Sequence, residues 1–147
     1  MTNPPKFKIL VTGGRDFNNR MEVNSVLCEY RAKYGSKNLI IIEGAAKGAD
    51  KLAHLFVIAN NIENWRFPAD WKKYPKSAGP IRNKQMLDEG QPNLVIAFPG
   101  GAGTQNMIQQ SEARGIEVRK IICEKECESV IRQQNKEAED LLKWIIT

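Results

Sequence analysis

Histidine and cysteine are scarce in this sequence, and apolar runs of membrane-spanning length are absent. The single histidine, His54, and the three cysteines, Cys28, Cys123 and Cys127, do not offer four ligands at a recognisable zinc spacing. Cys123 and Cys127 have three residues between them and no histidine nearby, so reduced, packing cysteines are expected. Apolar stretches such as Leu39-Ile40-Ile41-Ile42 suit buried strands and fall far short of a membrane span. The opening residues, MTNPPKFK, lack the apolar segment of a secretory signal. These features lead to the expectation of a cytoplasmic protein with no membrane association and no metal. Aromatic residues are only 7% of the chain and form no recognisable stacking platform, which argues against a nucleic-acid binder.

What is present describes one ordinary α/β domain. The 147 residues are enough for one sizeable core. The net charge of +5 suits an anionic ligand or nucleic acid, but a solvated surface would carry it equally well. Strands are predicted at Phe7–Thr12, Asn38–Glu43, Glu63–Phe67, Leu94–Phe98 and Glu117–Cys123. Helices are predicted at Met21–Tyr34, Ala49–Asn60, Ile81–Glu89 and Thr104–Arg114, with glycine or asparagine at several of the stops. A further charged helix fits 126–146, where Trp144 reads as packing and the helix as a possible oligomerisation element. The alternation implies an α/β fold, a parallel sheet of about five strands with helices on both faces, in a single domain over 1–147.

Three strand ends carry glycine-rich or polar sequence: TGGRDF (12–17), EGAAKGAD (43–50) and FPGGAGT (98–104). Ligands bind beyond the carboxyl ends of parallel strands, so the coincidence of three such loops points to a binding site where one alone would not. In the last, Pro99, Gly100, Gly101 and Gly103 allow close approach to the backbone, and Thr104 reads as the cap of a helix whose N-terminus suits a phosphate. No Gly-Lys-Ser/Thr follows, and Asn106 stands where a dinucleotide fingerprint has its third glycine, so neither a P-loop nor a hydride-transfer cofactor is expected. Gly13 and Gly14 precede Arg15, a candidate phosphate clamp, and Asp16, a candidate acceptor from ribose or base. Glu43 ends an otherwise apolar strand; Gly44 and Gly48 flank the loop to Asp50, where an acid also suits the dipole of a helix start. Arg82 and Asn83 are read in the first turn of a helix, where a cation opposes the dipole. The long loop 68–80 carries Trp71, read as a lid aromatic or, preferably, a hydrophobic anchor. His54 is read as structural.

Taken together, ILVTGGRDF, IIEGAAKGADKLA, FPADWKKY, GPIRNKQML and LVIAFPGGAGTQNM resemble the YspA-like family of the SLOG superfamily, the Rossmann-like proteins related to Smf/DprA and LOG. The resemblance spans roughly 7–122 in the expected order. It implies binding of a nucleotide or nucleotide-derived molecule, with dimers common among LOG-like relatives. LOG members are phosphoribohydrolases whose signature pairs an arginine-bearing helix with a PGGxGTxxE turn. Arg82, Gly100, Gly101, Gly103 and Thr104 match, but Met107 stands at the glutamate position. N-glycosidic cleavage calls for a carboxylate beside a cation-like sugar, which methionine cannot supply. Two readings follow: a binding protein, or an N-glycosidase with a relocated acid drawn from Glu43, Asp50 and Asp16 and with Arg82 in the site. DprA-like nucleic-acid binding ranks third. The expected partner is a nucleotide-like small molecule, with a homo-oligomer, a dimer by preference, and no separate cofactor.

Overall fold

The computed structural model describes residues 5–122. Cys123, Cys127, Trp144 and the helix expected over 126–146 lie outside the described residues. Within them the chain runs β1 (Phe7–Thr12), α1 (Arg20–Tyr34), a short 3-10 turn (Ser36–Asn38), β2 (Leu39–Glu43), α2 (Ala49–Asn60), β3 (Glu63–Arg66), α3 (Ala78–Gly90), β4 (Leu94–Ala97), α4 (Ala102–Ala113) and β5 (Glu117–Lys120). All strands pair in parallel, in the order β3-β2-β1-β4-β5.

The alternation of side chains along each strand divides the core in two. Ile9 and Val11 of β1 and Leu39 and Ile41 of β2 pack with Val23 and Leu27 of α1 and with Ala53, Phe56 and Val57 of α2. Leu10, Ile40, Ile42 and Val95 face the other way, against Met86 and Leu87 of α3 and Met107 of α4. The inner strands β1, β2 and β4 are therefore apolar on consecutive positions, as a sheet covered on both faces requires. The edge strands β3 and β5 begin and end on exposed charges, Glu63 and Arg66, Glu117 and Lys120, which discourage pairing with another sheet.

Local signals account for most boundaries. Asn19 caps α1 by accepting from the backbone N–H of Glu22 at 3.1 Å, and its amide reaches the Glu22 carboxylate at 3.2 Å, a reciprocal cap. α2 ends on Asn61 in the left-handed region. Two helices start two or three residues earlier than the sequence suggests. α3 begins at Ala78, so Pro80 falls in its first turn, where a missing N–H costs little, and Arg82 and Asn83 sit in the second turn rather than the first. Arg82 therefore does not oppose the helix dipole at the very start of α3. α4 begins at Ala102 with Gly101 as its cap, and Thr104 lies inside the helix. Cys28, expected to pack, is exposed on α1.

Candidate functional site

The strand order places the site. From β1 the chain winds outward through β2 to β3 and then returns to β4 on the other side of β1. The loops after β1 and β4 therefore leave neighbouring strands for opposite faces of the sheet, and a crevice opens between them. Here it is a cleft of about 940 Å³. Its walls are the 12–17 loop, the helix start at 99–104 with Asn106, one side of α3 (Gly79, Pro80, Arg82, Asn83, Met86), Ala46 and Asp50, and Trp71 and Lys76 of the long loop.

Glycines hold these loops against one another. The Gly14 N–H donates to the Pro99 carbonyl at 2.9 Å, and the Gly14 carbonyl accepts from Ala49 N–H at 3.2 Å. A side chain at Gly13 would bring its Cβ 2.5 Å from that of Ala49. Gly48 has φ +76° and packs directly on the Gly14 carbonyl, so both conformation and space demand glycine. A Cβ at Gly100 would overlap the Thr104 hydroxyl and approach the Gly14 nitrogen to 2.6 Å. Gly101 and Gly103 differ. A Cβ at either would meet no atom of the described residues within 4 Å, and neither has a positive φ. Nothing in the packing of the described residues requires them to be glycine, yet both line the cleft at the N-terminus of α4.

Arg82 projects from α3 beneath this turn. Its Nη1 donates to the Gly44 carbonyl, and its Nε donates to Asn83 Oδ1 at 3.1 Å. Asn83, buried, spends its own amide on the Gly103 carbonyl and on Asn106 Oδ1, each at 3.2 Å. Asp50 is also buried. Its Oδ2 accepts from the backbone N–H of Gly44 at 3.1 Å and of Ala46 at 3.3 Å, which shapes the 44–46 loop. Burial pushes the Asp50 carboxyl above its ordinary value, and the Arg82 charge pulls against that rise. Burial likewise draws Arg82 below its ordinary value; Asp50 opposes this, while the Arg15 charge adds to it. Both arginines line the same cleft. Arg15 lies over the Trp71 ring, 5.0 Å from its centroid.

The structure brings together Gly13, Gly14, Arg15, Asp16, Asp50, Arg82, Asn83, Pro99, Gly100, Gly101, Gly103 and Thr104 on one cleft. It does not bring Glu43, Gly44 or Gly48 to the wall. By strand alternation Glu43 shares the face of Leu39 and Ile41, toward α2, while the cleft opens on the α3 side. Glu43 is fully buried; its Oε1 accepts from Arg66 Nε at 2.6 Å, and its Oε2 has no hydrogen-bond partner among the described residues. Burial raises its carboxyl above the ordinary value despite Arg66. Gly44 is glycine because the Arg82 guanidinium and the Asp50 carboxylate occupy the place of its Cβ. Met107, at the position where a glutamate would stand, is fully buried in the core against α3 and the sheet. His54 lies apart, with Nδ1 2.8 Å from Asn64 Oδ1, while the Asn64 amide donates to the Ile41 carbonyl. Sequence reasoning did not name Lys76, Phe17, Met86 or Asn106 as part of this wall. The length of the 68–80 loop was the available signal for Lys76.

A family model described as the YspA, cpYpsA-related SLOG family matches residues 7–74. The Gene 61 protein of Mycobacterium phage D29 is 31% identical over 120 residues, covering 76% of this chain and 93% of that protein. Among solved structures, DNA processing protein A (DprA) from Streptococcus pneumoniae is similar with a TM-score of 0.63 at 18% identity, over 87% of this chain and 56% of DprA. A UDP-N-acetylglucosamine 2-epimerase is similar with a TM-score of 0.53 at 14% identity, over 79% of this chain and 33% of the epimerase. The chain thus spans about half of the DprA structure and a third of the epimerase, and these two likenesses concern the fold.

Proposed function

Because the chain belongs to the YspA, cpYpsA-related SLOG family, we propose that it binds a nucleotide or nucleotide-derived small molecule in the cleft between β1 and β4. The observation that carries this reading is the pair Gly101 and Gly103. They are glycines that neither the packing of the described residues nor backbone angle requires, on a helix N-terminus that shares its cleft with Arg15, Lys76 and Arg82. Leaving both side chains out gives a phosphate access to the backbone N–H groups at the start of α4. Arg15 and Arg82 supply the balancing charge, and Asp16 accepts from sugar or base.

Calorimetric titration with AMP, NAD and ADP-ribose tests the reading. Saturable binding is expected, strongly weakened in Arg82→Ala and Gly101→Asp. A folded chain that binds no member of a broad nucleotide panel overturns it.

One observation favours a second reading, N-glycosidic cleavage. Asp50 lies in the cleft beside Arg82 with a raised affinity for its proton, while Glu43 lies outside the wall. Of the acids proposed to replace the missing glutamate, Asp50 and Asp16 are the ones the cleft retains. Release of free base with ribose phosphate, lost in Asp50→Asn, supports an enzyme; intact ligand after long incubation at high protein concentration supports binding alone. The third reading, single-stranded nucleic acid, predicts instead an affinity that falls steeply with salt over many phosphate contacts.

A further inference from the structure

Trp71 is the large aromatic side chain of the cleft wall that remains substantially exposed, at 43%. Phe17, on the same wall, instead packs against Phe98, with ring centroids 5.3 Å apart. The segment holding Trp71 is anchored. Asp70 Oδ1 accepts from Lys73 N–H at 3.1 Å, the Asp70 carbonyl accepts from Tyr74 N–H at 3.0 Å, and the Tyr74 carbonyl accepts from Ala78 N–H at the start of α3. The backbone that carries the indole is therefore tied to the helix that carries Arg82, and the edge of the ring lies 3.6 Å from where a Cβ on Gly79 of that helix would stand.

Its partner is loosely held by comparison. Arg15 is exposed, and among the described residues it contacts the Trp71 ring, with no carboxylate in ion-pair range. A cation over an exposed ring is a weak contact that another ligand of the ring can replace. The backbone next to Arg15 is fixed beside the glycine turn by the Gly14 to Pro99 hydrogen bond. Rotamer changes of the long arginine side chain move its guanidinium off the ring while its backbone stays beside the turn.

We propose that Trp71 is the stacking face for the base of the bound nucleotide, and that Arg15 leaves this ring for the phosphate when the ligand enters. The proposal rests on the cleft being a nucleotide site and adds the chemical class: a ligand with both a planar base and an anionic phosphate, held at two separate places. A sugar phosphate without a base satisfies only one of them. Stacking of a base on an aromatic side chain changes affinity by about fivefold or more.

The test compares AMP, GMP, CMP, UMP and ADP-ribose with ribose 5-phosphate, on wild type, Trp71→Leu, Trp71→Phe and Arg15→Ala, after circular dichroism establishes that each variant is folded. Wild type is expected to prefer at least one nucleotide over ribose 5-phosphate by about fivefold or more. Trp71→Leu should abolish most of that preference and leave ribose 5-phosphate within about twofold, while Trp71→Phe restores part of it. Arg15→Ala should weaken nucleotide and sugar phosphate alike, preserving their ratio. A nucleotide preference that survives Trp71→Leu overturns the stacking role while the nucleotide site stands. Absence of binding by wild type to every probe overturns the site itself and the stacking role with it.

Discussion

The side-chain amide of Asn83 donates to the carbonyl of Gly103 at 3.2 Å, so the helix that carries Arg82 also grips the turn proposed to hold phosphate. Asn83 lies in the second turn of α3, and its neighbour Arg82 reaches the opposite way, to Gly44. One short stretch of helix thereby sets the spacing between a cation and a helix N-terminus, the distance that an anionic group must match.

Replacing Asn83 by alanine should therefore act twice. It removes the donor of two half-buried hydrogen bonds, to the Gly103 carbonyl and Asn106 Oδ1, at a cost of about 0.5–1.5 kcal/mol. It should also weaken nucleotide binding by loosening the turn. Urea unfolding with and without ligand separates the two effects; unchanged affinity in a destabilised variant would show that the turn holds its shape alone.

The glycines of the turn should divide by role. Gly100→Ala forces a Cβ onto Thr104 and the Gly14 nitrogen and should destabilise the chain by about 1–3 kcal/mol. Gly103→Ala meets open space inside a helix and should be neutral or stabilising by up to about 1 kcal/mol, yet reduce ligand affinity. Thermal unfolding paired with titration checks both signs. A Gly103→Ala protein that binds as well as wild type would leave the exposed glycines without their proposed purpose.

Arg82 and Asp50 should be energetically coupled. Removing the arginine leaves a buried carboxylate without its main countercharge, and neutralising the aspartate leaves the Arg82 guanidinium without its own, while an asparagine oxygen can still accept from the 44–46 loop. A double-mutant cycle of Arg82→Ala and Asp50→Asn should give a coupling of about 0.5–3 kcal/mol, measured by denaturant unfolding.

Glu43 should make stability fall with rising pH. Its folded-state carboxyl titrates above the ordinary value of 4.5 because it is buried. Between 4.5 and the folded value, the native state holds a proton that the unfolded chain has released, so its contribution is present at low pH and is lost as pH rises through the folded value. Glu43→Gln removes that dependence. The stability of the variant relative to wild type should increase from pH 4 upward through that window, at about 1.4 kcal/mol for each unit by which the folded value exceeds the unfolded one. Unfolding curves across pH measure it directly; a constant difference would refute the assignment.

Much of this architecture is local and was readable as such. The apolar run from Leu39 to Ile42, the helical spacing of Val23, Val26 and Leu27, and the glycines after Thr12 and Phe98 are patterns of neighbouring residues, and each reports its own segment. The sequence by itself determined the alternating elements, the parallel sheet they imply and the loops rich enough in glycine to surround a ligand. Tertiary structure alone decided which loops meet, because the order β3-β2-β1-β4-β5 is a matter of long-range pairing. It also decided where side chains at strand tips point. Glu43 ends its strand as conspicuously as Thr12 ends its own, but the pleat turns Thr12 to the cleft and Glu43 to the core beneath α2. Trp71 and Arg15 lie far apart in the chain, and no local pattern links them. Their contact exists because α3 and the loop before it fold back over the end of β1, which only the packing of both sheet faces brings about.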